Sequence, residues 1–206
     1  MKTIVALLIF LTTMFSNSYG SPLNHDKKIF LFLITGLSTP IGDFEGEAKS
    51  GFNWASAVEL QLSQSWAMGI SINGVDFKHK NIYYDPWFSS YTYIDWSVNR
   101  VNFWGKYIFV RKSLSPFLKL GIDSYFIEER LNYVYQEASQ QRKSRKEGFS
   151  IIPGGGFEYL TKKLLIFIEV AYNIIPTNRW NGDVVHEKGS QFFDFLFGAG
   201  FNVLNF

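Results

Sequence analysis

Residues 52–73 read FNWASAVELQLSQSWAMGISIN, and the way these side chains alternate decides the fold. Even positions carry Phe52, Trp54, Ser56, Val58, Leu60 and Leu62, while odd positions carry Asn53, Ala55, Ala57, Glu59, Gln61 and Ser63. A period of two sustained over this length marks a strand with one apolar and one polar face. After Gln64-Ser65 the pattern restarts, with Trp66, Met68, Ile70 and Ile72 set against Ala67, Gly69, Ser71 and Asn73. Two such runs across so short a link predict an antiparallel hairpin with a tight turn.

The same alternation recurs on both sides of this hairpin. Val101, Phe103, Tyr107 and Phe109 oppose Arg100, Asn102 and Lys106; Leu118, Leu120, Ile122 and Phe126 oppose Lys119, Gly121, Asp123 and Tyr125. Ile151, Phe157 and Tyr159 face away from Ser150, Gly154, Gly156 and Glu158, and Leu164, Ile166, Ile168, Val170, Tyr172 and Ile174 oppose Glu169, Ala171 and Asn173. In the last segment Phe193, Phe195, Phe197, Phe201 and Val203 share a face opposite Asp194, Gly198, Gly200 and Asn202; Leu204 and Phe206 rejoin the apolar side only through a bulge. Lys28 to Leu37 is apolar on both faces, so its register is not readable.

This makes eight strands of about ten to twelve residues, the length a tilted strand needs to cross a bilayer. The connections Ser38–Gly51, Lys78–Tyr93, Glu129–Gly148 and Pro176–Gly189 are long, and the three between them are short. Long loops at one end and tight turns at the other describe an all-β, eight-stranded antiparallel up-and-down transmembrane β-barrel. Closure removes the unpaired edges that an open sheet would expose.

Alternation alone does not say which face is inside, and a secreted lipocalin-like barrel with an apolar cavity reverses the assignment. The polar face collects Glu59, Arg100, Lys106, Lys119, Asp123, Glu158, Glu169 and Asp194, charges of both signs that suit a narrow, hydrogen-bonded lumen. The apolar face carries Trp54, Trp66, Phe103, Tyr107, Phe109, Phe157 and Tyr159. Eight strands enclose little space, so rings of this size are expected to face lipid, with Trp66, Tyr107, Phe109 and Tyr159 forming a girdle at the short-turn end.

The amino terminus fits this destination. Met1-Lys2, the apolar run Ile4–Phe15 and the small residues of Ser18-Tyr19-Gly20 read as a cleaved secretory signal over residues 1–20, leaving 21–206 as the barrel domain. The chain has 206 residues with 47% hydrophobic and 18% aromatic side chains, too much apolar mass for a disordered chain. A net charge of +2 lacks the basic excess of a nucleic-acid binder, so no nucleic-acid partner is expected. With no cysteine there is no disulfide, thiolate metal site or cysteine nucleophile.

Gly36-Leu37-Ser38-Thr39-Pro40-Ile41-Gly42-Asp43-Phe44, Lys49-Ser50-Gly51-Phe52, Gly154-Gly155-Gly156-Phe157-Glu158-Tyr159 and the terminal Phe206 together resemble the small outer-membrane β-barrel domain family of OmpA-, OmpX- and OmpW-type barrels. The resemblance spans essentially the whole mature chain. It implies a Gram-negative outer membrane, insertion by the barrel-assembly machinery, and Phe206 as part of the assembly signal.

Chemistry is sparse. His25, His79 and His186 all lie outside the strands, and no His-x-Ser pair, G-x-S-x-G, H-E-x-x-H, Walker loop or metal-spaced histidine cluster occurs. Neither an enzyme nor a metal or other cofactor is therefore expected. The first expectation is a non-enzymatic outer-membrane barrel with an envelope-structural or surface-interaction role, its lumen plugged by ion pairs. A narrow channel or transporter for small or hydrophobic solutes is the alternative. The basic run Arg142-Lys143-Ser144-Arg145-Lys146, on a long loop, is a candidate contact for outer-membrane lipids and lipopolysaccharide phosphates. The aromatic stretch Tyr83–Phe88 with Tyr91 and Tyr93 is a candidate contact for a surface ligand.

Overall fold

A computed structural model describes residues 28–205 except 88, 111–112, 136–137, 162 and 176–190. The expected signal peptide, His25, His186 and Phe206 lie outside the described residues. Nine strands and one short helix follow in order: β1 (Lys28–Ile41), α1 (Asp43–Glu47), β2 (Gly51–Gln61), β3 (Trp66–Phe77), β4 (Tyr83–Asp85), β5 (Ser90–Ile108), β6 (Leu114–Tyr135), β7 (Ala138–Leu160), β8 (Leu164–Ile174) and β9 (Gln191–Asn205). Every pairing is antiparallel, and β1 pairs with β9 while β3 pairs with β5. Eight long strands thus close into a barrel, and β4 is a three-residue addition to β5.

Closure has a definite stagger. Pairing partners followed around the barrel run Lys28, Gln61, Ala67, Lys106, Lys119, Gly154, Ala171, Asp194 and back to β1 at Ser38, ten residues beyond the start. A shift of this size requires strands tilted by roughly 35–45° to the axis. Because side chains alternate, residues level with one another across the lumen come from distant points in the sequence.

The faces divide as alternation requires. Trp54, Phe103, Phe109, Phe157 and Tyr159 are exposed on the outer wall, and the Trp66 ring packs tilted against Tyr107 at 4.9 Å, with Phe109 a further 5.2 Å on, at the short-turn end. On β1 the unreadable register resolves with Phe30 and Phe32 inside and Leu31, Leu33 and Leu37 outside. On β9 a register shift leaves Val203 without an opposite partner on β1, so Val203 and Leu204 both face out. This is the bulge expected at the chain end.

Three expectations about connections need correction. The β2–β3 turn comprises Leu62–Ser65 rather than two residues, because Leu62 and Ser63 both donate backbone N–H groups to Trp66 O. The stretch Ser38–Gly51 is not all loop, since β1 runs on to Ile41 and α1 follows. Most markedly, Glu129–Gly148 is almost wholly strand. β6 and β7, of 22 and 23 residues, continue as a regular hairpin far beyond the roughly 9–11 residues that cross a bilayer. Cross-strand ion pairs sustain it in polar surroundings: Lys146 Nζ lies 2.6 Å from Glu129 Oε1. β5, with 19 residues, extends beside it and carries β4, so a four-stranded sheet rises from one side of the barrel mouth.

Candidate functional site

All eight charges of the polar face lie in the lumen, seven buried and Lys119 partly so. They form separate ion-pair clusters. Lys106 Nζ donates to Glu59 Oε2 and to Glu158 Oε2, each at 2.7 Å, from within the wall positions of β5, β2 and β7. Lys119 pairs with Glu169 at 2.5 Å. Arg100 donates from Nη2 to Asp194 Oδ2 at 3.0 Å, hydrogen-bonds Asn173 through Nη1, and holds Asp123 at 3.9 Å. Around this arginine, Ser38 donates to Asp194, Asn53 donates to Ser38 at 3.1 Å, and Ser150 donates to Asp123. A buried charge is tolerated only with such partners, and the partners here come from six different strands.

The expectation that an eight-stranded lumen excludes large rings is wrong for this chain. Phe30, Phe32, Phe117 and Phe167 pack inside with Ile108 and Leu165 toward the short-turn end, and Phe77, Trp96 and Phe192 pack inside toward the long-loop end. Trp104 is also inside, 5.2 Å from Lys119 and 5.8 Å from Lys106. Glycine makes the room. A Cβ on Gly69 would stand 2.3 Å from the Trp104 ring, one on Gly198 2.3 Å from Phe167, and one on Gly200 2.4 Å from Phe32. Each ring occupies the space that a side chain on the neighbouring strand would fill. Parity carried the signal: Trp104 alternates with Lys106, Phe117 with Lys119, and Phe167 with Glu169.

These layers occlude the interior. At the long-loop end the Phe44 side chain of α1 folds into the mouth, 5.1 Å from Phe77 and 5.3 Å from Trp96, and Phe192 lies 5.2 Å from Phe77. Gly42, at φ 61°, takes the sharp turn that sends the helix inward. Lys80 and Asn81 hold α1 from the next loop through the carbonyls of Glu45 and Gly46. Between the apolar layers lies a cavity of about 30 Å³ bordered by Asn73, Asn102, Arg100, Lys106 and Glu169. That is room for about one water. On the outer wall, Gly36, Gly155 and Gly156 floor an apolar groove of about 860 Å³ flanked by Leu37, Phe157 and Phe195.

Outside the barrel, His79 Nδ1 sits 3.0 Å from Asp95 Oδ1, its amide donates to the same oxygen, and its ring stacks on Tyr93 at 4.3 Å. Burial raises the Asp95 carboxyl, but the hydrogen bonds from His79 and Lys78 outweigh it and hold the group below the ordinary carboxylate range. The basic run is not a loop tip. Strand alternation sends Lys143 and Arg145 to the outward face and Arg142 and Lys146 to the face above the mouth. Among the described residues no cluster of three His, Asp or Glu could hold a metal ion. No described helix is long and apolar enough to cross a membrane, which leaves crossing by strands untouched.

No protein-family model matches the chain, and no curated protein matches it. Solved structures do share its fold. Neisserial surface protein A is 10% identical with a TM-score of 0.53, over 85% of this chain and 97% of that one. A major outer membrane protein from Thermus thermophilus is 13% identical with a TM-score of 0.52, over 87% and 100%. The outer membrane protein OprG from Pseudomonas aeruginosa is 12% identical with a TM-score of 0.50, over 87% and 97%. At these identities the likeness is one of architecture: a small, eight-stranded barrel of the outer-membrane type.

Proposed function

We propose that the chain is a non-enzymatic outer-membrane barrel whose occluded lumen serves stability, and whose surface outside the membrane serves envelope structure or interaction. The observation that carries this reading is the clamping of Lys106 between Glu59 and Glu158 inside a lumen closed by aromatic layers at both ends. A conducting pore needs a continuous polar path, and the aromatic layers at both ends of the lumen count against one. Outer-membrane placement is supported by the apolar outer wall with its aromatic girdle, and by the architecture shared with outer-membrane proteins. Lipopolysaccharide at the wall and the barrel-assembly machinery during insertion, with Phe206 as the terminal signal, are the partners this reading entails.

Reconstitution into planar bilayers tests it. The protein is expected to show no regular conductance steps. Steps whose ion selectivity changes in Lys106→Ala or Glu158→Ala would establish the channel alternative instead.

A further inference from the structure

The outward face of the sheet that rises past the barrel wall carries three kinds of chemistry in a fixed vertical order. On β6 and β7 the wall residues Ile122 and Ile151 stand opposite one another, and Phe126 and Phe149 follow above them. All four are well exposed on the outer surface. Next come Glu128 opposite Arg145, then Arg130 opposite Lys143. Higher still, on β4 and β5, Tyr84 lies opposite Tyr91 with ring centroids 5.0 Å apart. With about 3.3 Å per residue, Arg130 is about 13 Å along the strand beyond Phe126, and the tyrosine level about 26 Å beyond it.

The middle layer has unspent donors. Arg130 Nε lies 2.7 Å, Lys143 Nζ 3.4 Å and Arg145 Nη2 3.5 Å from the single Glu128 carboxylate. The Arg145 side chain is 83% exposed and Lys143 53%, whereas Glu128 is 16% exposed. Three cations therefore converge on one acid, with Asp95 on β5 opposite Arg130, and Arg145 and Lys143 keep more than half of their side chains in solvent. The remaining acids of this face are Glu147, on the wall side opposite Phe126, Asp95, which is engaged by His79 and Lys78, and Asp76 on β3.

We propose that this outward face binds a phosphorylated glycolipid of the surrounding leaflet: acyl chains against Phe126 and Phe149, phosphate on Arg145, Lys143 and Arg130, and sugar against the Tyr84–Tyr91 pair. The order apolar, cationic, aromatic along one strand direction matches the order acyl, phosphate, sugar along such a lipid. Charge-assisted forks from arginine suit a phosphate. Tyrosine offers a flat apolar face with a polar rim, which suits a sugar ring. A simple phospholipid ends at the phosphate level and leaves the tyrosines unused. The inference rests on the outer-membrane placement proposed above.

The test uses the full mature chain in phosphatidylcholine nanodiscs doped with rough-type lipopolysaccharide, with its dephosphorylated form, or with phosphatidylglycerol. Native mass spectrometry then reads which lipid the extracted protein retains. Intact lipopolysaccharide should be retained above both other dopants. Lys143→Ala/Arg145→Ala should lower that retention about tenfold, the scale of one lost charge-assisted contact. Tyr84→Ala/Tyr91→Ala should lower retention of lipopolysaccharide and leave phosphatidylglycerol unchanged. Equal retention of phosphatidylglycerol, or indifference to either double variant while the barrel keeps its heat-dependent gel shift, overturns the site. Recovery of the native protein as a soluble periplasmic species overturns the outer-membrane placement itself, and the site with it.

Discussion

Lys106 on β5 and Glu158 on β7 meet inside the barrel at 2.7 Å, with β6 between their strands and Glu59 equally near on the other side of the ammonium. One buried cation thereby joins three strands that are far apart in sequence. Each carboxylate is less than a twentieth exposed, so neither can turn to bulk water if the lysine is lost.

Replacing that lysine should therefore be costly. Lys106→Met removes a cation from between two buried carboxylates and is expected to destabilise the folded barrel by about 3–5 kcal/mol. Urea unfolding in detergent micelles, followed by tryptophan fluorescence, measures it. The triple variant Lys106→Met/Glu59→Gln/Glu158→Gln removes charge and counter-charge together and should regain most of the loss.

The fit between interior rings and glycines makes a second prediction. Gly198→Ala places a methyl group 2.3 Å from the Phe167 ring and should cost about 1–3 kcal/mol by overpacking. Phe167→Leu in the same chain should relieve much of it, so a double-mutant cycle would show strong coupling. Additive effects would mean that the ring and the glycine do not share that space.

Phe103 and Trp104 are neighbours in sequence with opposite surroundings, 61% and 9% exposed. Phe103→Arg should cost about 2–4 kcal/mol in lipid, because it puts a charge against hydrocarbon near mid-span. At the same outward position facing water the change would be nearly free, so the measured cost in bilayers tests whether this wall meets lipid.

The Asp95 tether gives the pH dependence. Its carboxyl is held below the ordinary range in the folded chain, so the stability it contributes is present above the unfolded value and is lost as pH falls through the lowered folded value. Protection of the His79 amide, which donates to Asp95, should hold at neutral pH and fall only in that acidic window. Hydrogen exchange corrected for its intrinsic pH dependence reads this directly. Asp95→Asn should weaken the protection at neutral pH.

Much of the barrel was legible in local pattern. Period two locates a strand without reference to any other part of the chain, and Arg100, Lys106 and Asp123 announce the wet face by their charge alone. Where one face lacks such a marker, as in Lys28–Leu37, nothing local says which way Phe30 and Phe32 point. The polar extension of β6 and β7 escaped for a related reason: Arg142–Lys146 has the composition of a solvated loop. It is a strand because its backbone pairs residue by residue with β6, which places Glu128 and Glu129 beside its cations.

The sequence by itself determined that strands alternate between lipid and lumen, how many of them close the barrel, and which charges share the inner face, since these follow from the two-residue repeat of an extended backbone. Only the tertiary structure decided which charge meets which, how Trp104, Phe167 and Phe32 fit within so small a bore, and how Phe44 comes to close its mouth. Those outcomes depend on the ten-residue stagger of closure, which brings Glu59 beside Lys106 and Gly200 beside Phe32. A stagger belongs to the closed ring as a whole, and no single strand contains it.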